Sequence, residues 1–405
     1  MANLEITVCG IKFKNPIVVA SAPTTKNAEN MRRAFETGAG GIVVKSVSDD
    51  PNFRISIRPM FTILHKKSYP YCFSNYSIGF ASNDSPDKWL VEVEKGRKWA
   101  DKFQGVLIGS IFSAKSLEAW INLARKIESA GAHMIELDLS CPNVFGTGSG
   151  IDEGKKPETV AKIAGEVARH VSIPVFSKLT SEATDPVEVA HKIKQMGGHG
   201  VTIMNRSPAL DIDIETGRPL LAGGFSGLGG PWMRPFMLKW VARVSKEVGI
   251  PVSATNGIWG WKDVVKAIMC GACTVQTCTA ILFSKQGFGI VKDLIVGLDK
   301  YLDERGIKSV ENIQGKTLPQ IRSFQALEWR DKGEVWVEVD RNVCNHCMLC
   351  KNWCFHGAIA PEYEEDGTPH LIKENCEGCG LCAILCPTNA IQLQGKGPFV
   401  LGDFE

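Results

Sequence analysis

Eight short apolar runs recur between residues 16 and 305, and the stretches between them place apolar residues at three- and four-residue steps. The runs read PIVVASA, GGIVVKS, GVLIGSI, MIELDLS, PVFSKLT, GVTIMN, PVSATN and TVQTCT. Short runs of this kind, rich in branched residues and bounded by glycine or proline, predict buried strands. The intervening segments NAENMRRAFETGAG, SLEAWINLARKIESAGA and WKDVVKAIMCGA carry helical periodicity and end near glycine. Eight such units predict an α/β fold, a (β/α)8 TIM barrel over residues 1–305. A doubly wound sheet is the alternative, but no strand is followed by the G-x-G-x-x-G turn that would hold a dinucleotide. Between Asp49 and Trp89 the pattern dissolves into a polar, aromatic stretch, which predicts a long loop or a small excursion above the barrel. Residues 306–338 are mixed and read as a connector that wraps or docks, and a separate module occupies 339–405.

That module carries the chain's most specific signal. Cys344, Cys347 and Cys350 are spaced by two residues and Cys354 follows after three more; Cys376, Cys379, Cys382 and Cys386 repeat the pattern, with Pro387 after the last. This is the bacterial run for [4Fe–4S] cubes, in which the fourth cysteine ligates the other cluster. Cys344, Cys347, Cys350 and Cys386 are thus predicted to hold one cluster, and Cys376, Cys379, Cys382 and Cys354 the other. A zinc knuckle suits one C-x-x-C pair, not this doubled spacing. The fold class is then a TIM barrel with a C-terminal, ferredoxin-like, two-[4Fe–4S] module that moves electrons singly.

Bulk properties narrow the partners. The formal net charge is +2, which gives no electrostatic case for nucleic acid or an anionic membrane. No apolar run is long enough to span a bilayer, and the N-terminus lacks the order of a secretory signal. Eight of the 14 cysteines are cluster ligands and the rest are scattered, so a reducing cytoplasm is expected rather than a disulfide-bonded secreted protein.

In a TIM barrel the working residues lie just beyond the C-terminal ends of the strands. Those positions hold Lys45 after the second run and Asp138, Ser140, Cys141, Pro142 and Asn143 after the fourth. Lys178 ends the fifth, Asn205 and Arg206 the sixth, Asn256–Gly257 the seventh and Cys278–Thr279 the eighth. A lone lysine after a strand is ordinarily a solvated residue; two lysines, several amides and a thiol on one rim are a mixture no core requires. GGFSGLGG (223–230), Asn256–Gly257 and Cys278–Thr279 are candidate phosphate-binding turns, since their N–H groups can bind an anion. A tight turn explains any one of them alone. A single barrel cysteine is ordinarily a small buried hydrophobe. At a strand end between Ser140 and Pro142, the Cys141 thiol can instead act as general acid or base opposite a flavin. Cys9, Cys72, Cys270 and Cys273 read as structural.

ASAPTT (20–25), the Lys45 strand end, Asn75, LSCPN (139–143), the SKLT lysine, the SGL and RP elements within 226–235 and the Asn256–Gly257 turn resemble the dihydroorotate dehydrogenase superfamily. With the cluster module, the chain is similar to its iron–sulfur-linked dihydropyrimidine dehydrogenases. The resemblance implies FMN across the barrel mouth, with Ala20 and Ser21 at the ring and Lys45 and Lys178 near the ring and ribityl chain. It implies Gly227, Asn256, Gly257, Cys278 and Thr279 around the phosphate. Asn75, Asn143 and Asn205 would face the substrate, a small cyclic unsaturated molecule. The implied reaction is hydride transfer at flavin N5 to an activated ring C=C bond, with Cys141 donating the proton, reversibly. Electrons would come through the clusters from a partner subunit carrying FAD and using NAD(P)H, or from a ferredoxin. The superfamily's habit of assembly implies a homodimer or hetero-oligomer.

Two positions depart from the family pattern. Asp138 stands where an asparagine faces the substrate, and Arg206 where a small hydroxyl residue is usual. Either the two pair and reshape the pocket, or Arg206 binds a substrate carboxylate with its planar fork, and both of these point away from uracil or thymine; the plainer alternative is that both side chains point out of the pocket. The alternatives to a dihydropyrimidine dehydrogenase-like activity are dihydroorotate oxidation with electron export through the clusters, and a relay subunit without its own substrate.

Overall fold

In a computed structural model, which describes residues 2–70, 72–142, 150–183, 185–221, 224–327 and 330–397, the chain divides into two compact units, 1–321 and 322–405. The first is a closed ring of eight parallel strands: β1 Ile17–Val19, β2 Gly41–Val43, β3 Val106–Phe112, β4 Met134–Asp138, β5 Val175–Lys178, β6 Gly200–Ile203, β7 Val252–Thr255 and β8 Thr274–Thr277. Each pairs with the next and β8 returns to β1, so all eight runs expected as strands are strands. The helices between are α1 Ala28–Glu36, α2 Pro86–Lys102, α3 Leu117–Ser129, α4 Pro157–His170, α5 Pro186–Gln195, α6 Arg234–Glu247, α7 Trp261–Met269 and α8 Gly289–Asp303. This is the TIM barrel that the alternation of runs predicts.

Strand periodicity sorts the barrel's contents. Residues two apart share a face, and the register sets Phe176 of β5 beside Glu136 of β4, and Lys178 beside Asp138. At the N-terminal end a hairpin, Ile6–Val8 with Ile11–Phe13, closes the floor; Val8 and Phe13 meet Ile108, Met134 and Phe176 there. Polar residues (Glu136, Thr202, Ser253, Thr274 and Gln276) occupy the next space up. The interior is thus apolar below and polar toward the mouth.

The excursion after β2 is more ordered than its composition suggests. Phe61–Leu64 and Ser74–Ser77 join Ser226–Gly229 and Ser207–Ala209 in a four-stranded antiparallel sheet. Tyr76 is fully buried there and donates its hydroxyl to Ala209 O (3.1 Å) and Gly224 O (3.3 Å). The segment expected as a glycine-rich turn is, over Ser226–Gly229, a strand of this sheet. Its glycines answer a steric need: a Cβ on Gly227 would lie 2.7 Å from Arg206 Cζ, and one on Gly229 3.0 Å from Arg206 Cγ. Residues 306–321 stay with the barrel, with Val310 and Ile313 buried and the N–H groups of Gly315 and Thr317 donating to Ile268 O and Met269 O. Among the described residues no helix is long and apolar enough to cross a membrane.

A short helix after β4, Ile151–Gly154, carries a half-buried carboxyl. Burial pushes Glu153 up to about 7, against the pull of Lys156. The sign follows: the folded state holds its proton more tightly, so stability falls as pH rises from the ordinary carboxylate range through 7. Glu153→Gln should match the parent at pH 4 and exceed it at pH 8 by about 1–2 kcal/mol after solvent screening, read from urea midpoints.

The second unit carries the repeat of the cysteine runs into its backbone. Each run leads into one helical turn and a half, Leu349–Trp353 and Leu381–Leu385. Residues with positive φ sit at equivalent places, His346 and Met348 in the first run, Gly378 and Gly380 in the second. Val335–Val339 pairs antiparallel with Ile391–Gly395, and Ile359–Tyr363 with Pro369–Leu371. Val337, Ile359, Ala383 and Ile391 form a small core together with the buried Cys350, Cys376 and Cys382. So slight an apolar core supplies little stability of its own.

Candidate active site

The strand ends open into a cavity of about 930 Å³ under the antiparallel sheet. Ala20, Ser21, Lys45, Asn75, Lys178, Asn205, Arg206, Asn256, Gly257, Cys278 and Thr279 all line it. Eleven residues chosen from six strand ends and the excursion therefore converge on one space. Asp138, Cys141 and Gly227 are not among its lining, and Asn143 lies outside the described residues.

Asp138 and Arg206 do not share a hydrogen bond. Asp138 accepts from Ser46 Oγ at 3.1 Å and from Ser140 Oγ at 3.1 Å. Arg206 donates one guanidinium nitrogen to Ser77 O (2.9 Å), to Ser77 Oγ and to Gly227 O (3.3 Å), which ties it to the sheet above. Gly227 thus meets Arg206 by its carbonyl. Asn205 spends its amide within the protein: Nδ2 donates to Ser140 O (3.1 Å) and Ser140 Oγ (3.0 Å), and Oδ1 accepts from Arg206 N (2.9 Å). Ser140 is thereby held from two sides, and with it the adjacent buried Cys141.

Positive charge dominates the walls. Burial pushes the Lys45 ammonium below its ordinary value, opposed by the negative charges of Asp138 and Cys141. Burial likewise lowers Arg206, against Cys141, Cys278 and Asp138, and raises the Cys278 thiol, against Arg206, Lys178 and Lys45. Of the strand-end cations Lys45, Lys178 and Arg206, Lys178 has a direct ionic partner among the described residues, Glu136 at 3.3 Å. Glu136, Gln276, Ser46 and Ser77 bear on the site and are missed by strand-end reading, since they lie inside a strand, on a neighbouring loop or in the excursion. Period-two spacing marks Glu136, which shares a strand face with Asp138.

Several features fit FMN. Asn75 Oδ1 and Gln276 Oε1 are buried acceptors without a hydrogen-bond partner, while Asn75 Nδ2 reaches Thr279 Oγ1 at 3.4 Å. Such acceptors want donors from a ligand. At the β7 end Asn256 and Gly257 both take positive φ, +76° and +79°, and a Cβ on Gly257 would lie 2.4 Å from Arg234 N. The chain therefore curls at a point only glycine allows, and a short helix, Thr279–Phe283, starts at the same cavity, its first helical bonds running from Ile281 N and Leu282 N to Cys278 O. Arg234 is held by Asp263 (2.6 Å), whose other oxygen accepts from Trp259 N and Gly260 N.

The cysteine quartets assemble as the spacing predicts. Cys344, Cys347, Cys350 and Cys386 line one small cavity, and Cys354, Cys376, Cys379 and Cys382 another. Among the described residues no three Cys, His, Asp or Glu side chains close on a single-ion site; each quartet surrounds a space instead. Burial, aided by the neighbouring thiols, pushes Cys382 up to about 12. Backbone N–H groups already approach sulfur, Ala358 N to Cys354 Sγ at 3.3 Å and Gly378 N to Cys376 Sγ at 3.4 Å.

Comparison with known proteins agrees with this geometry. The dihydroorotate dehydrogenase family model matches residues 3–302, and a 4Fe-4S dicluster domain model matches 343–390. The chain is 31% identical to the NAD-dependent dihydropyrimidine dehydrogenase subunit PreA of Escherichia coli, over 100% of this chain and 98% of that protein. It is 34% identical to the catalytic subunit of dihydroorotate dehydrogenase B (NAD(+)) of Pyrococcus abyssi, over 78% of this chain and 99% of that one. The Thermoplasma acidophilum counterpart is 30% identical over the same shares. With a family model covering its whole barrel and relatives of this similarity, the chain belongs to the dihydroorotate dehydrogenase family, as an oxidoreductase that carries a 4Fe–4S dicluster domain.

Proposed function

We propose that the chain is the catalytic subunit of an FMN-dependent enzyme that reduces, or reversibly oxidises, an activated ring C=C bond in the manner of a dihydropyrimidine dehydrogenase. The observation that carries this reading is the joining of two features: a cationic, amide-lined cavity at a barrel mouth, and two crossed cysteine quartets on the same chain. FMN, when bound, supplies hydride exchange and the change from one- to two-electron transfer. Lys45 and Lys178 favour negative charge in the ligand they face. Asn75 offers a fixed acceptor to a ring N–H. Cys141, next to the doubly held Ser140, carries the proton for the carbon that does not take the hydride. Asn256, Gly257, Cys278 and Thr279 hold the phosphate by backbone N–H groups and a hydroxyl.

The two quartets hold two [4Fe–4S] clusters, and electrons enter from an FAD- and NAD(P)H-binding partner subunit or a ferredoxin. The relatives' names, both NAD-linked, support such a partner. Protein purified without oxygen should release FMN on denaturation and contain about eight irons, four for each cluster; FAD, or protein without iron after anaerobic purification, would sink the proposal.

A second reading, dihydroorotate oxidation with electron export, is favoured by the Arg206 fork at the cavity wall, which suits a ring carboxylate. Asp138, which does not line the cavity, weighs on neither reading. A panel of cyclic enones, pyrimidines and their carboxylated analogues, run with chemically reduced and with oxidised protein, separates the two. Turnover confined to carboxylated rings selects the second reading.

A further inference from the structure

We propose that Glu136, which does not line the cavity, is a positioning residue: it fixes Lys178 and Gln276 at the cavity floor and, as their counter-charge, sets how strongly that floor prefers reduced, anionic flavin to the oxidised form. This rests on the FMN reading above.

Glu136 is 1% exposed, and its carboxylate is engaged by three neighbouring strands. One oxygen faces Lys178 Nζ of β5 at 3.3 Å; the other accepts from Thr202 Oγ1 of β6 and Gln276 Nε2 of β8, each at 2.8 Å. Gln276 Nε2 also donates to Ser253 Oγ (3.2 Å), which Thr274 Oγ1 reaches at 2.8 Å. The same small space is lined on its apolar side by Val8, Phe13, Ile108, Met134 and Phe176. A TIM barrel interior is ordinarily filled by branched aliphatic residues. An ionised carboxyl there is costly unless paired, so filling space does not explain it.

What the network faces does explain it. Lys178 and Gln276 both line the cavity. With Gln276 Nε2 drawn inward by Glu136, its Oε1 is the atom left without a partner. The carboxylate thus decides which end of the amide a ligand meets. It also halves the electrostatic effect of Lys178: the ligand faces a dipolar pair in place of a bare cation.

The test compares FMN-loaded wild type, Glu136→Gln, Glu136→Asp, Lys178→Met and the double variant, measuring the flavin midpoint potential and the affinities for oxidised and reduced FMN under anaerobic conditions. Glu136→Gln should raise the preference for reduced flavin about tenfold, or about 30 mV for a two-electron couple. Glu136→Asp, which keeps the charge, should stay close to wild type. In the Lys178→Met background an unpaired buried carboxyl is neutral, so adding Glu136→Gln should change the ratio less than about twofold. An unchanged or lowered preference in Glu136→Gln, or an equal rise in both backgrounds, overturns the proposal. If Glu136→Gln alone does not fold, Lys178→Met and the double variant decide it: equal potentials support the proposal and unequal ones overturn it. Wild type that binds no FMN defeats the flavin reading instead.

Discussion

Cys141→Ala should lower steady-state turnover about 10²–10⁴-fold, the usual contribution of a positioned general acid, while flavin and iron contents stay at the wild-type level. Every other feature of the site survives the exchange. Ser140 remains held by Asn205, and Asp138 by Ser46 and Ser140. Alanine fills most of the buried space, so little stability is at stake. What disappears is the thiol beside the β4 end, whose charge acts on the buried Lys45 and Arg206. A pH profile of kcat sharpens the test, since the limb belonging to the thiol should vanish in whatever turnover remains. Undiminished turnover would remove Cys141 from the chemistry.

Cys386→Ala should abolish turnover driven by the physiological electron donor and lower the iron content from about eight to about four per chain. Activity with a small reducing dye that reaches the flavin directly should persist. The cysteine is distant in sequence from the quartet it completes: it shares its cavity with Cys344, Cys347 and Cys350, while Cys354 completes the quartet of the later run. Crossed ligation therefore predicts that Cys386→Ala and Cys344→Ala leave the same surviving cluster, with the same EPR spectrum after reduction. Cys354→Ala should leave the other. Were Cys386→Ala instead to match Cys376→Ala, each run would serve its own cluster and the crossed arrangement would be wrong.

Legibility in the sequence varies across the molecule for physical reasons. The strand ends were readable because barrel strands are short and buried, so Lys45, Lys178, Asn205 and Asn256 mark themselves by following apolar runs. The sheet over the mouth was not. Ser74–Ser77 and Ser226–Gly229 are poor in branched residues, and their pairing is between segments about 150 residues apart. GGFSGLGG consequently reads as a turn, when two of its glycines, Gly227 and Gly229, leave room for the Arg206 side chain. Arg206 and Asp138 stand out as departures from the family pattern, yet their partners, Ser77 and Gly227 for one, Ser46 and Ser140 for the other, lie on other elements.

By itself the sequence determined the eight strands and the two cysteine runs, because both rest on spacing within a few residues: apolar periodicity in one case, ligand reach in the other. Only the tertiary structure decided which charges meet. Closing the ring brings Glu136, Lys178, Thr202 and Gln276 from four strands into one hydrogen-bonded group. Folding the excursion over the mouth turns Arg206 toward Ser77 rather than Asp138. Those outcomes depend on register and ring closure between distant segments, and no local pattern carries them.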